Sequence, residues 1–248
     1  DRLLGTIREN FDLEHVLEFT VEAGRPDSIT REKLEVIRKY PVTRISVNPQ
    51  TMQQKTLDLV GRKHTVEDVE QIFHLARELG FDNINMDLIA GLPGEDAADM
   101  QDTLEKIEKL HPDSLTVHAL AIKRAAKFGQ EGRTMDPGSE ITQMVEAAAA
   151  SAERMGLVPY YLYRQKNIAG NFENVGYAEQ DKAGVYNILI MEEKQAILAC
   201  GAGASTKRVW NLPEGYHIER CENVKDIKQY IARIDEMIER KKALFEKE

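Results

Sequence analysis

Polar side chains stand where an α/β chain places its chemistry. Glu22 closes the β-rich run His15–Glu22, Asn48 and Gln50 follow the run Arg44–Asn48, and Arg62 follows Gly61. Asp87 interrupts an apolar string, flanked by Met86, Leu88 and Ile89. An ionised carboxylate in such a string costs several kcal/mol unless it is paired or well hydrogen-bonded. Asp87 therefore either caps a neighbouring loop or faces a polar site. Carboxylates accept hydrogen bonds from hydroxyl and ammonium groups, and the Gln50 amide both donates and accepts. Arg62 offers a planar fork suited to a carboxylate, in a charge-assisted pair roughly twice as strong as a neutral hydrogen bond.

Other chemistries find little support. The six histidines (His15, His64, His74, His111, His118, His217) show no metal-ligand spacing, and they read as core or surface residues. There is no serine-centred nucleophile elbow and no phosphate-cradling loop of the P-loop type. The run Cys200-Gly201-Ala202-Gly203-Ala204-Ser205-Thr206-Lys207 is half a dinucleotide fingerprint, without the third glycine or the acidic residue about 20 positions on. The two cysteines, Cys200 and Cys221, have no close-spaced partner and read as a small core residue and an incidental thiol.

The elements that must position these side chains follow from apolar periodicity. Leu3, Leu4, Ile7 and Phe11 keep helical spacing, the run ending at Glu22 is the first strand, and Thr30 N-caps a helix that Pro41 ends. Arg44–Asn48 is the second strand, and Val66, Val69, Ile72, Phe73, Ala76 and Leu79 form a helical stripe closed by Gly80. Asn83–Ala90 is the third strand, broken by Gly91-Leu92-Pro93-Gly94. A helix with Met100, Leu104, Ile107 and Leu110, the strand Ser114–Leu120 and a helix opened by Pro137 follow. This alternation predicts an α/β barrel or doubly wound sheet with parallel strands.

After Gly156 the texture changes. Tyr160–Gln165, Tyr186–Met191 and Ala196–Cys200 read as strands around a Gly/Asn-rich stretch at 170–177, and a long helix runs from Val224. The expected division is a barrel portion over residues 1–135, then a last barrel helix with an α+β extension over 136–248.

Composition narrows the class. The chain has 248 residues, 42% of them hydrophobic and 30% charged, which suits a core-forming rather than a disordered protein. No run reaches the ~18 apolar residues of a membrane span. A net charge of -9 disfavours broad nucleic-acid binding. Two cysteines are too few for a disulfide scaffold, so the expectation is a cytoplasmic protein, a monomer, with neither nucleic-acid nor membrane partners.

Taken in order, Glu22, Arg44–Gln50, Gly61-Arg62 and Asn85-Met86-Asp87-Leu88-Ile89-Ala90-Gly91-Leu92-Pro93-Gly94 resemble the oxygen-independent coproporphyrinogen oxidase branch of radical S-adenosylmethionine (SAM) enzymes. Tyr163-Arg164-Gln165-Lys166-Asn167, Gly170-Asn171 and Glu173–Tyr177 resemble its HemZ-type coproporphyrinogen dehydrogenases in particular. The resemblance covers essentially the whole chain. It implies a partial (β/α)6 barrel, TIM-like, in which SAM lies across the strand ends and chelates one iron of a 4Fe-4S cluster. Glu22, Gln50, Arg62 and Asp87 match SAM-contacting positions, and Ala121 matches another through its backbone. The implied reaction is radical decarboxylation of coproporphyrinogen III propionates to vinyl groups, giving protoporphyrinogen IX, with an electron donor such as flavodoxin or ferredoxin. Lys123, Arg124, Lys127, Arg164 and Lys166 either pair with the propionates or form a solvated charge run, and Lys207 is a further contact. A haem-binding carrier of the same superfamily is the alternative.

One departure stands out. The family's Cys-x3-Cys-x2-Cys loop and its Gly-rich SAM turn are absent, and the chain starts at Asp1. The resemblance implies that both lie upstream of Asp1, so that the barrel is truncated and this piece alone is inactive, because thiolates hold such clusters.

Overall fold

The computed structural model describes residues 1–120, 137–164, 173–213 and 215–247. In the first part of the chain the order is α1 (Arg2–Asn10), β1 (Thr20–Gly24), α2 (Arg31–Arg38), β2 (Arg44–Val47), α3 (Gln54–Leu59), α4 (Val66–Glu78), β3 (Ile84–Ala90), α5 (Ala97–Leu110), β4 (Ser114–Ala119), α6 (Pro137–Arg154), β5 (Val158–Arg164) and β6 (Glu173–Ala178). The helices start where side chains satisfy their first amides. Thr30 accepts from the Lys33 amide, and reciprocal capping boxes join Thr65 to Asp68 and Asp96 to Asp99. His111 closes α5 at φ 52°.

The strands form one six-stranded sheet in the order β1-β2-β3-β4-β6-β5. The first four are parallel, and β6 runs antiparallel to both β4 and β5. One face is apolar: Ile45, Val47, Ile84, Met86, Leu88, Leu115 and Val117 share a core with Leu34, Val69, Phe73, Leu104 and Ile107 of the helices. The expected parallel-dominated α/β architecture is therefore present, and a partial barrel is consistent with it.

The first strand is shorter than its sequence run, since residues 15–19 lie outside β1. The Gly/Asn-rich stretch contributes β6, which is sandwiched between β4 and β5; pairing on both edges overrides its poor intrinsic preference. The short α3 carries no periodic signal of its own.

The chain divides into two compact units, residues 1–185 and 186–248. The first extends beyond the expected division at 135/136, because β5 and β6 complete the same sheet. The second unit consists chiefly of the hairpin β7 (Ser205–Leu212) and β8 (Gly215–Glu222) with α8 (Ile227–Ala232) and α9 (Ile234–Glu246). The expected strand over Tyr186–Met191 is instead part of α7 (Val185–Met191); a short apolar run does not by itself distinguish strand from helix. Of the expected strand at Ala196–Cys200 only an isolated bridge, Ile197 to Lys207, exists. The long terminal helix is broken at Arg233 into α8 and α9.

Glu95, in the turn after β3, is buried at 1% exposure and accepts from the Thr51 hydroxyl at 2.6 Å. Burial raises its pKa above the ordinary carboxylate value. The folded state thus holds the proton more tightly than the unfolded state, and the charged carboxylate costs stability as pH rises through that window. Glu95→Gln is expected to raise Tm by about 2 °C at pH 7.5, a gain that shrinks as pH falls towards the unfolded value; calorimetry across pH checks this.

Candidate functional site

The second sheet face is polar because the strands alternate. Positions two apart point the same way, so Glu22 on β1, Arg44 and Ser46 on β2, Asn85 and Asp87 on β3, and Ser114, Thr116 and His118 on β4 share a side. A parallel strand covered on both faces by helices reads as continuous hydrophobic sequence, so this alternation is the signal that marks a polar interior. Sequence reasoning that looks to strand ends misses most of these residues, which occupy strand interiors.

Hydrogen bonds join them. The Ser46 hydroxyl donates to Glu22 Oε2 at 2.7 Å, and Arg44 Nη1 stands 3.9 Å from Glu22 Oε1. Arg44 Nη2 donates to Ser114 Oγ at 3.4 Å, while its Nε has no partner among the described residues. Ser114 Oγ and Thr116 Oγ1 donate to Asn85 Oδ1 at 3.1 and 3.2 Å, and Asn85 Nδ2 donates to Asp87 Oδ1 at 2.7 Å. His118 Nε2 lies 3.9 Å from Asp87 Oδ2, beyond hydrogen-bond reach. Arg44 is buried, whereas the Glu22 side chain is 65% exposed and open to a ligand.

Gln50 is attached to the same place by its backbone. It adopts φ 70°, its amide donates to the Asp87 carbonyl at 2.9 Å, and its carbonyl accepts from the Ile89 amide at 2.9 Å. His64 Nε2 lies 3.4 Å from the carbonyl of Pro49, on the same corner. Burial pushes the His64 pKa down, favouring the neutral ring.

Arg62 leaves the turn after α3, its amide bonded to the Leu57 carbonyl at 2.9 Å. Its neighbours in charge are Arg25 and Asp27, which bind each other through Arg25 Nε and Nη2, each at 3.0 Å. Burial, then Arg25, lower the Arg62 pKa, and Asp27 raises it. Glu22, Gln50 and Asp87 are thus brought together by β1, β2 and β3, and Arg62 stands beside the loop that follows β1. Ala121, Lys123, Arg124, Lys127 and Lys166 lie outside the described residues, as does the side chain of Arg164. Lys207 belongs to the second unit, where it is buried and ion-paired with Glu193.

Tyr161 completes the polar face from β5. A register shift between Pro159 and Tyr161 makes a bulge, and Tyr161 falls opposite Gly176 on β6. A Cβ at Gly176 would sit 1.9 Å from Tyr161 Cε1 and 3.0 Å from Tyr160 Cε1, so both rings lie over the glycine. Burial pushes the Tyr161 phenol up to about 12; it faces Thr116, with Asp87 and Arg44 in electrostatic range.

Residues 4–107 match the family model of the Radical SAM superfamily. Over 247 residues the chain is 47% identical to the oxygen-independent coproporphyrinogen-III oxidase-like protein HemZ of Bacillus subtilis, covering 97% of this chain and 49% of that protein. Residues 4–107 thus carry a radical SAM domain. The chain is also 30% identical over 224 residues to the heme chaperone HemW of Bacillus subtilis, covering 88% of this chain and 53% of that one. Its fold matches coproporphyrinogen III oxidase (HemN) of Escherichia coli with a TM-score of 0.69 at 22% identity, over 95% of this chain and 52% of that one. The chain spans about half the length of the curated relatives named here.

The superfamily implies SAM and a 4Fe-4S cluster. The open Glu22 carboxylate, the Asp87 carboxylate and the Gln50 corner fit the hydroxyl, ammonium and carboxylate groups of SAM. The described residues do not fit the cluster: none of their His, Cys, Asp and Glu side chains form a group of three or more that would hold a metal. Cys200 is exposed and Cys221 buried in the second unit. Among the described residues no helix is long and apolar enough to cross a membrane.

Because no side chain fits between Gly176 and the Tyr161 ring, Gly176→Ala is expected to destabilise the first unit by about 1–3 kcal/mol in urea denaturation, with Gly156→Ala as a positive-φ control of different origin that displaces no ring.

Proposed function

We propose that this radical SAM chain grips SAM with Glu22, Gln50, Arg62 and Asp87, with the Ala121 backbone adding a contact. The observation that supports the reading is the placement of Glu22 on β1 and Asp87 on β3 along one polar sheet face, with Glu22 bonded to Ser46 of β2 and the Gln50 backbone bonded to Asp87. In open α/β layouts, ligands bind outside the carboxyl ends of the strands. The carboxylates accept from the ribose diol or the α-amino group, Gln50 bonds either polarity, and Arg62 forks onto the α-carboxylate.

The 47% identity to the HemZ protein supports an oxidoreductase of the coproporphyrinogen oxidase kind, acting on coproporphyrinogen III to give protoporphyrinogen IX for haem. SAM, when bound in such enzymes, supplies one-electron chemistry. The chain's own residues hold and orient it. We place the cluster thiolates outside this chain, and with them the docking of an electron donor such as flavodoxin or ferredoxin. Some of Lys123, Arg124, Lys127, Arg164 and Lys166 are proposed to pair with the substrate's propionates, and the protein is proposed to be a cytoplasmic monomer.

The HemW match supports a second reading, a haem carrier. Haem titration of the full-length protein beside an anaerobic decarboxylation assay separates the two: the enzyme consumes SAM and releases carbon dioxide, whereas the carrier binds haem tightly and does neither. Asp87→Asn is expected to lower decarboxylation at least tenfold in the full-length protein while leaving its melting temperature within about 3 °C. The 248-residue chain alone is expected to gain no stoichiometric cluster absorbance on anaerobic reconstitution with iron and sulfide.

A further inference from the structure

Asp87 lies on a strand interior, where its carboxylate has several staggered orientations open to it. Its one short polar contact among the described residues is Asn85 Nδ2 at 2.7 Å, two positions earlier on the same face. Asn85 is 3% exposed, and a buried amide must satisfy both of its ends. Its oxygen accepts from Ser114 at 3.1 Å and from Thr116 at 3.2 Å, both hydroxyls being on the neighbouring strand. Ser114 in turn accepts from Arg44 Nη2, so its own proton is left for Asn85. With two donors on the oxygen, the amide has a single sensible orientation: the NH2 group points at Asp87.

We infer that Asn85 is the positioning residue for Asp87, its amide locked by Ser114 and Thr116 and aimed to hold one carboxylate oxygen while the other stays available to a ligand. The register supports this division of work. Asn85 pairs with Ser114 and Asp87 with Thr116, so the hydroxyls that fix the amide come from residues directly opposite the pair. Arg44 extends the chain to Glu22, which places both candidate carboxylates at the two ends of one polar row. Asn85 itself, buried behind Asp87, touches no ligand.

The inference rests on the SAM-gripping reading for its consequence, but not for its geometry, and one experiment tests the two separately. In the full-length protein, Asn85→Ala, Asp87→Asn and the double variant are compared by calorimetric binding of S-adenosylhomocysteine, together with a crystal structure of Asn85→Ala. The expected result is about tenfold weaker binding for Asn85→Ala, a loss that disappears in the Asp87→Asn background because the two residues act as one unit, and a rotated Asp87 carboxylate in the crystal. An Asp87 carboxylate unmoved in Asn85→Ala, or binding losses that simply add, would overturn the inference. If the carboxylate rotates while Asp87→Asn binds normally, the positioning role stands and the SAM-gripping reading falls.

Discussion

A buried polar row on a sheet face must have most of its hydrogen bonds met, because an unpaired buried polar group costs about 1–3 kcal/mol. That constraint shapes the sheet more than any other. Ser46, Arg44, Ser114, Asn85 and Thr116 are all buried, and each is tied to another polar side chain on this face of the sheet. The strands therefore cannot slip by one residue without turning this row into the helix-packed face and Ile45, Met86 and Leu115 into the interior. Register, core and site are fixed together.

The same row explains why an acidic pair is tolerated inside. Glu22 keeps most of its surface in solvent, while Asp87 is only 21% exposed and relies on the Asn85 amide. Arg44 supplies a buried positive charge between them. Among the described residues its Nε has no hydrogen-bond partner.

Much of the architecture was legible in the sequence because its signals are local. Thr30 as a cap, Gly80 as a stop and the stripe from Val66 to Leu79 each act within a few residues, and the structure places them accordingly. Glu22, Gln50 and Asp87 were also legible, as polar residues at strand ends or within an apolar run. Illegible were features whose cause lies across the sheet. The strand at Glu173–Ala178 draws its stability from two partners, not from its Gly/Asn-rich composition. The role of Asn85 depends on hydroxyls from Ser114 and Thr116, about thirty positions away, and Tyr161 depends on the absence of a side chain at Gly176. The hairpin of β7 and β8 is likewise a pairing that neither strand announces alone.

The corner at Gln50 has a consequence for how such a protein can diversify. Its place in space is set entirely by main-chain groups, a left-handed backbone bonded to Asp87 and Ile89, with the Gln50 side chain taking no part in that attachment. Mutational drift can therefore rewrite the functional group displayed there without relocating it. Asparagine or glycine, which tolerate that backbone best, are the cheapest replacements. The fold in effect keeps a fixed socket whose plug is interchangeable.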